Sequence, residues 1–140
     1  MSFTTAINSI KTLIESVSIS GGSLVYTTDS RQRELKEAGR AKFDASYLIR
    51  SEGGGSLFRE LAKNPSAFVD TITLQIGTEM TTDALTADET SVLRGQKILE
   101  SLLTSDMTDV IDIQPTSEPS KFSDDRRIVW SQKFRLIYLE

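Results

Sequence analysis

The sequence predicts an α+β fold: a mixed, mainly antiparallel sheet with two helices packed on one face. Three observations predict it. Two segments repeat apolar residues at helical spacing, one at the N-terminus and one centred near residue 95. The remaining apolar segments alternate with period two, as half-buried strands do. These strands follow one another too closely for a helical crossover between each pair, so the economical order is α-β-β-β-α-β-β.

The first helix is carried by Ile7, Ile10, Ile14 and Val17, with Phe3, Ala6 and Leu13 beside them. That stripe spans roughly four turns and closes at "SGG", residues 20–22, where glycine suits a helix exit. "SLVYTT" then predicts a short strand. The segment 30–42 is polar all round apart from Leu35 and has no stripe to bury, so it is expected as a loop, an arm or a short helix needing a partner. "FDASYLIR" alternates Phe43, Ala45, Tyr47 and Ile49, a second strand. "SEGGGS" at 51–56 predicts a flexible loop tip, in which serine at positions 53 and 55 should leave folding intact. One or two helical turns are expected before Pro65.

"FVDTITLQIG" turns Ile72, Leu74 and Ile76 inward and Thr71, Thr73 and Gln75 outward. A capping box, Thr86 with Glu89, is expected to open the second helix. Val92, Leu93, Ile98, Leu99, Leu102 and Leu103 then give about five turns, ending near Ser105. Gly95 either weakens this helix or admits a close neighbour. "DVIDI" predicts a brief strand, and 114–127 a long polar, flexible loop with two prolines. In the closing stretch "IVWSQKFRLIYLE", Ile128, Trp130, Phe134, Leu136 and Tyr138 share one face, interrupted only by Gln132. The opposite face is charged in its middle and apolar at its ends. The first face belongs to the core, with Trp130 and Phe134 its large pieces.

Composition narrows the function. The 140 residues suit a single domain spanning 1–140. Cysteine and histidine are both absent. Their absence removes the usual zinc sites, Cys-His nucleophiles and Ser-His-Asp triads. A net charge of -4 argues against general nucleic-acid binding. There is neither a membrane-length apolar run nor a signal-peptide pattern, so an intracellular protein, or one of a particle assembled in a cell, is expected. Phosphate-cradle and dinucleotide motifs are missing, and no cofactor is expected. Asp106, Asp109 and Asp112 have suggestive spacing for a cation, but they straddle a helix end and a strand and read as caps and solvated loop residues. Asp124 and Asp125 are adjacent and expected to diverge, unlike a glycosidase pair. An enzyme is therefore not expected.

One basic patch interrupts this acidic chain: Arg31, Arg33, Lys36, Arg40 and Lys42, diluted by Glu34 and Glu37. Ordinarily such a run is a solvated face; the sharper expectation is a charge contact with an acidic neighbouring surface. Lys133 and Arg135, on the polar side of the closing strand, are expected to meet a neighbour as well.

The C-terminal half resembles the tail terminator family of long-tailed, lambda-like bacteriophages. The resemblance lies in "FVDTITLQIG", the acidic-capped helix "TADETSVLRGQKILESLL", the short "VIDI", a polar loop with "DDRR", and "VWSQKFRLIYLE" with Trp130 and Tyr138 in the closing strand. It covers roughly residues 68–140, and the insert 30–42 departs from the lambda-like pattern. The resemblance implies a structural virion protein: a homo-oligomeric, hexameric ring at the head-proximal end of the tail. That ring would end polymerisation of the tail-tube protein and join the tail to a head-completion or connector protein. A head-tail connector or tail-tube-like protein is the nearest alternative, and a small cytosolic protein-binding module is the alternative of another class.

Overall fold

The computed structural model describes residues 2–19, 22–26, 44–54, 56–57, 67–80, 83–123 and 126–139. Helix α1 spans Ser2–Ser16 and helix α2 spans Ala84–Thr104. The strands are β1 Val25–Tyr26, β2 Ser46–Ser51, β3 Ser56–Leu57, β4 Ala67–Glu79, β5 Val110–Pro115, β6 Ser120–Ser123 and β7 Arg127–Leu139. All seven join one sheet in the order β1-β2-β4-β7-β5, with β3 also on β4 and β6 also on β7. Among the described strands only the β1–β2 pairing is parallel. The fold is α+β, as the sequence predicts.

The centre of the sheet is the antiparallel β4–β7 pair, in continuous register from Ala67↔Leu139 to Glu79↔Arg127. Period two therefore sorts both strands together. Ile72, Leu74 and Ile76 stand on one face with Trp130, Phe134, Leu136 and Tyr138. Ile10 and Ile14 of α1 and Ile98 and Leu102 of α2 close over that face in one core. Each residue expected inward on β7 is buried. Gln132, the interruption, is buried as well, and its amide donates to the Ser117 carbonyl across the break between β5 and β6. A buried amide needs such a partner, and here it ties the edge to the centre.

Four expectations are corrected. The stretch 114–127 is no continuous loop: residues 120–123 form β6, and Lys121 pairs with Trp130 in register. The loop after β2 is anchored, with Gly53 N–H and the Ser51 hydroxyl both donating to Asp70, at 2.8 and 2.9 Å. A Cβ at Gly53 would lie 2.3 Å from Asp70 Oδ1 and 2.9 Å from the Thr71 nitrogen, so serine there displaces the anchor. Gly55 lies outside the described residues, as do residues 58–66, on which the expected helical turns fall; Ser56 and Leu57 before them pair with β4. The cap of α2 is Asp83, whose carboxylate accepts from Thr86 N–H at 2.9 Å and from the Thr86 hydroxyl at 3.1 Å. Thr86 is thus inside the first turn, and the helix begins earlier than the Thr86–Glu89 spacing predicts. Finally, Leu93 and Leu103 are exposed, and the buried stripe of α2 is Ala87, Ser91, Arg94, Gly95, Ile98 and Leu102.

Gly95 explains the close seating of α2. A Cβ there would come within 2.3 Å of Trp130 Cε2, so the indole packs directly against the helix backbone.

Candidate interaction surface

The other face of the sheet has a different character. No described helix covers it, and its residues come from the odd register of β7 and its partners. Arg50, Thr73 and Lys133 form one row across β2, β4 and β7. Thr71, Arg135 and Gln114 form the next, across β4, β7 and β5. Alternation dictates this: where Phe134 points into the core, Lys133 and Arg135 must point away.

A charge cluster occupies the middle of the face. Glu52 accepts from Arg50 at 2.7 Å and lies 3.6 Å from Lys133 Nζ. The hydrogen bond from Arg50, assisted by the Lys133 charge, holds the Glu52 carboxyl below its ordinary value. Half of the Lys133 side chain, at 54%, remains open to solvent. Arg135 is half-buried beside the row. Apolar residues flank the cluster at one end, where Val129 and Leu48 are buried while Phe122 and Val25 are exposed. Phe122 pairs with Val129 in register, which places it on this same face. The charged middle and apolar ends expected from the sequence are therefore present.

Structure brings Lys133 and Arg135 onto one surface with Arg50 and Glu52, which the sequence reading did not single out. Their signal was available: in "YLIRS", Arg50 alternates with the inward Tyr47 and Ile49. Arg31, Arg33, Lys36, Arg40 and Lys42 lie outside the described residues, as do Asp124 and Asp125.

Another ion pair lies between α2 and the end of β4. Arg94, 4% exposed, donates to Asp44 at 2.8 Å, to the Gly77 carbonyl at 3.2 Å and to the Thr78 hydroxyl at 3.1 Å. Asp44 also accepts from Glu79 N–H at 3.0 Å. Partial burial pushes the Asp44 carboxyl up, but the Arg94 hydrogen bond and the Glu79 amide outweigh it and hold the group below its ordinary value. The next residue, Ala45, sits at φ 57° with its N–H on the Gly77 carbonyl. This network fixes where the chain enters β2 and ties it to α2 and β4.

Around Tyr47 the polar contacts are again structural. Its hydroxyl donates to the Lys11 carbonyl at 3.5 Å, and its ring meets Tyr26 edge-on at 5.1 Å. Lys11 Nζ lies 3.8 Å above the Tyr26 ring. Burial, then the Glu15 carboxylate, pushes the Tyr47 hydroxyl up. Asp112 spends its carboxylate on its own strand, accepting from Ile113 N–H and from the Gln114 amide. Among the described residues no group of three carboxylates is placed to hold a metal. None of their helices is long and apolar enough to cross a membrane.

This geometry defines the class: an α+β domain with one helix-covered sheet face and one polar, cation-bearing face. No protein-family model matches the chain, and no curated protein matches it.

Proposed function

We propose that this chain is a structural subunit of a phage tail, forming a ring that caps the head-proximal end of the tail tube and offers a joint to the head connector. The supporting observation is the second sheet face. It carries Lys133 and Arg135 on the long β4–β7 pair with Arg50 beside them on β2, around the Glu52 carboxylate. A folded core with two different surfaces that meet head-to-tail and close is what ring assembly requires. The resemblance of residues 68–140 to tail terminators supplies the location, the virion tail, and the neighbours, a tail-tube protein and a connector. Function in this reading is assembly, with no catalytic step and no cofactor.

The test is to mix purified protein with polymerising tail-tube subunits and image the products. Tubes of limited length with a ring at one end are expected. Tubes that grow as they do without the protein would remove the capping reading. A chain that stays monomeric at high concentration and never joins tubes would favour the small binding module.

A further inference from the structure

Two connections in this fold carry the chain from one strand to a parallel strand further along the sheet order. Strands β4 and β5 both run antiparallel to β7, so they are parallel to each other, and α2 lies between them in the chain. Strands β1 and β2 are parallel neighbours, joined by residues 27–45, of which 44 and 45 are described. In the order β1-β2-β4-β7-β5 both connections step the same way across the sheet, yet β2 runs antiparallel to β4.

A connection between parallel strands of one sheet is right-handed in about 98% of cases. With an equal step and a reversed strand direction, that hand puts the two connections on opposite faces. Helix α2 covers the face of Ile76 and Trp130. The β1–β2 connection therefore belongs on the face of Leu48 and Val129.

Burial on that face points the same way. Leu48 and Val129 are 6% and 3% exposed and form a small apolar cluster apart from the main core. The one described apolar side chain packed against them is Tyr26, at the sheet edge. A tyrosine on β1 does not seal side chains on β2 and β7 with β4 between them. Next to Val129, β4 contributes Gly77, which has no side chain to fill the space.

The ends of the connection are fixed beside this patch. Val25 N–H donates to the Ala45 carbonyl, and the Asp44 carboxylate is held by Arg94 and by Glu79 N–H. A parallel connection needs about a dozen residues or more, and 27–43 supply them. Within 30–42 Leu35 is the single large apolar residue, the size of side chain that a patch of Leu48, Val129 and Gly77 takes.

We propose that residues 27–43 cross the second sheet face and seat Leu35 on Leu48, Val129 and the Gly77 backbone. The occupant of this patch is the chain itself, whether or not copies form a ring. At that end of the face a neighbour meets the charged residues of 30–42 rather than bare sheet, and their excess of arginine and lysine suits an acidic surface.

The chain has no cysteine, so introduced pairs report without background. Leu35→Cys with Val129→Cys should close an intramolecular disulfide under mild oxidation, read as loss of free thiol and faster migration on a non-reducing gel. Leu35→Cys with Leu93→Cys should stay reduced, since Leu93 is exposed on α2, across the sheet. Leu35→Cys with Phe122→Cys repeats the first test from an exposed position, because Phe122 pairs with Val129 on the same face. Circular dichroism verifies the fold of each variant. As a second readout, the thiol of Val129→Cys alone should react slowly with a thiol reagent. Adding Leu35→Asp should remove that protection, and adding Leu93→Asp should not.

A disulfide in the 35–93 pair and in neither of the others places the connection on the helix side and overturns the proposal. Equal closure of all three pairs, or of none, shows that Leu35 has no seat on this face and overturns it too. A 35–129 disulfide that joins two chains assigns the patch to a second copy and overturns the intramolecular seating. A thiol at 129 that is equally protected with and without Leu35→Asp removes Leu35 as its cover.

Discussion

The two faces of the β4–β7 pair are built from the same thirteen-residue strands, alternate residues apart, yet they do different work. On one face Ile72, Ile76, Trp130 and Phe134 are sealed beneath two helices. On the other, Thr71, Thr73, Lys133 and Arg135 form a polar field with charges at its centre. The large buried apolar side chains are concentrated in the first register, and Lys133 and Arg135 stand in the second. A single-residue slip would exchange them, so the long unbroken pairing serves both ends at once.

The largest expected effect comes from the covered face. Trp130 is 3% exposed and its ring lies against the backbone of α2 at Gly95. Trp130→Ala should cost about 3–5 kcal/mol, the range for truncating a buried large aromatic, since the rigid helix cannot settle into the gap. Chemical denaturation measures it. An unchanged midpoint would break the comparison by showing that this face does not carry the core.

Much of this division was legible in the sequence because period two is a local signal that tertiary contacts reinforce. Ile72, Leu74, Ile76 and the even residues of 128–138 all stand where alternation places them. What escaped detection depends on partners far along the chain. Residues 120–123 carry only Phe122 as a large apolar residue and become a strand through pairing with β7. Gly53 reads as flexible until Asp70 is found beside it. Arg94 looks like a solvated helix residue, and only Asp44, fifty positions away, makes its burial tolerable. The Thr86–Glu89 spacing hid the true cap of α2, Asp83, whose carboxylate reaches both the N–H and the hydroxyl of Thr86. Of the candidate interface, Lys133 and Arg135 were readable from alternation alone. The cluster they join was not, because Glu52 reaches the row from the loop after β2.

The Arg94–Asp44 pair gives an intermediate effect and a pH signature. Asp44→Asn leaves Arg94 buried without its anionic partner. A fully buried pair would lose about 3–5 kcal/mol. The Asp44 side chain is 46% exposed, and solvent screening brings the expected loss to about 1–2 kcal/mol. The folded-state pKa of Asp44 is depressed, so its contribution is present above the unfolded value near about 3.9 and is lost as pH falls through the lower folded value. Denaturation midpoints of wild type and Asp44→Asn should therefore differ at neutral pH and converge once the pH has fallen through the lowered folded-state value. Parallel curves over the whole range would show that the carboxylate charge is not what steadies Arg94.

The smallest expected effect sharpens the contrast from the open side. Lys133→Gln removes a charge from the centre of the polar field without touching the core. Its side chain is 54% exposed, and its partner Glu52 keeps the shorter contact to Arg50 at 2.7 Å. An exposed ion pair of this kind contributes about 0–1 kcal/mol, and substitutions of this kind usually fall within about 0.5 kcal/mol. Thermal and chemical midpoints should therefore stay close to wild type, in contrast to Trp130→Ala three positions away on the same strand. Strand position is nearly constant between the two; only the face changes. If Lys133→Gln instead unfolds the protein at a midpoint comparable to Trp130→Ala, the open face contributes to the core and the contrast between the two registers fails. If stability holds while self-association weakens, the same lysine marks the face through which copies of this chain meet.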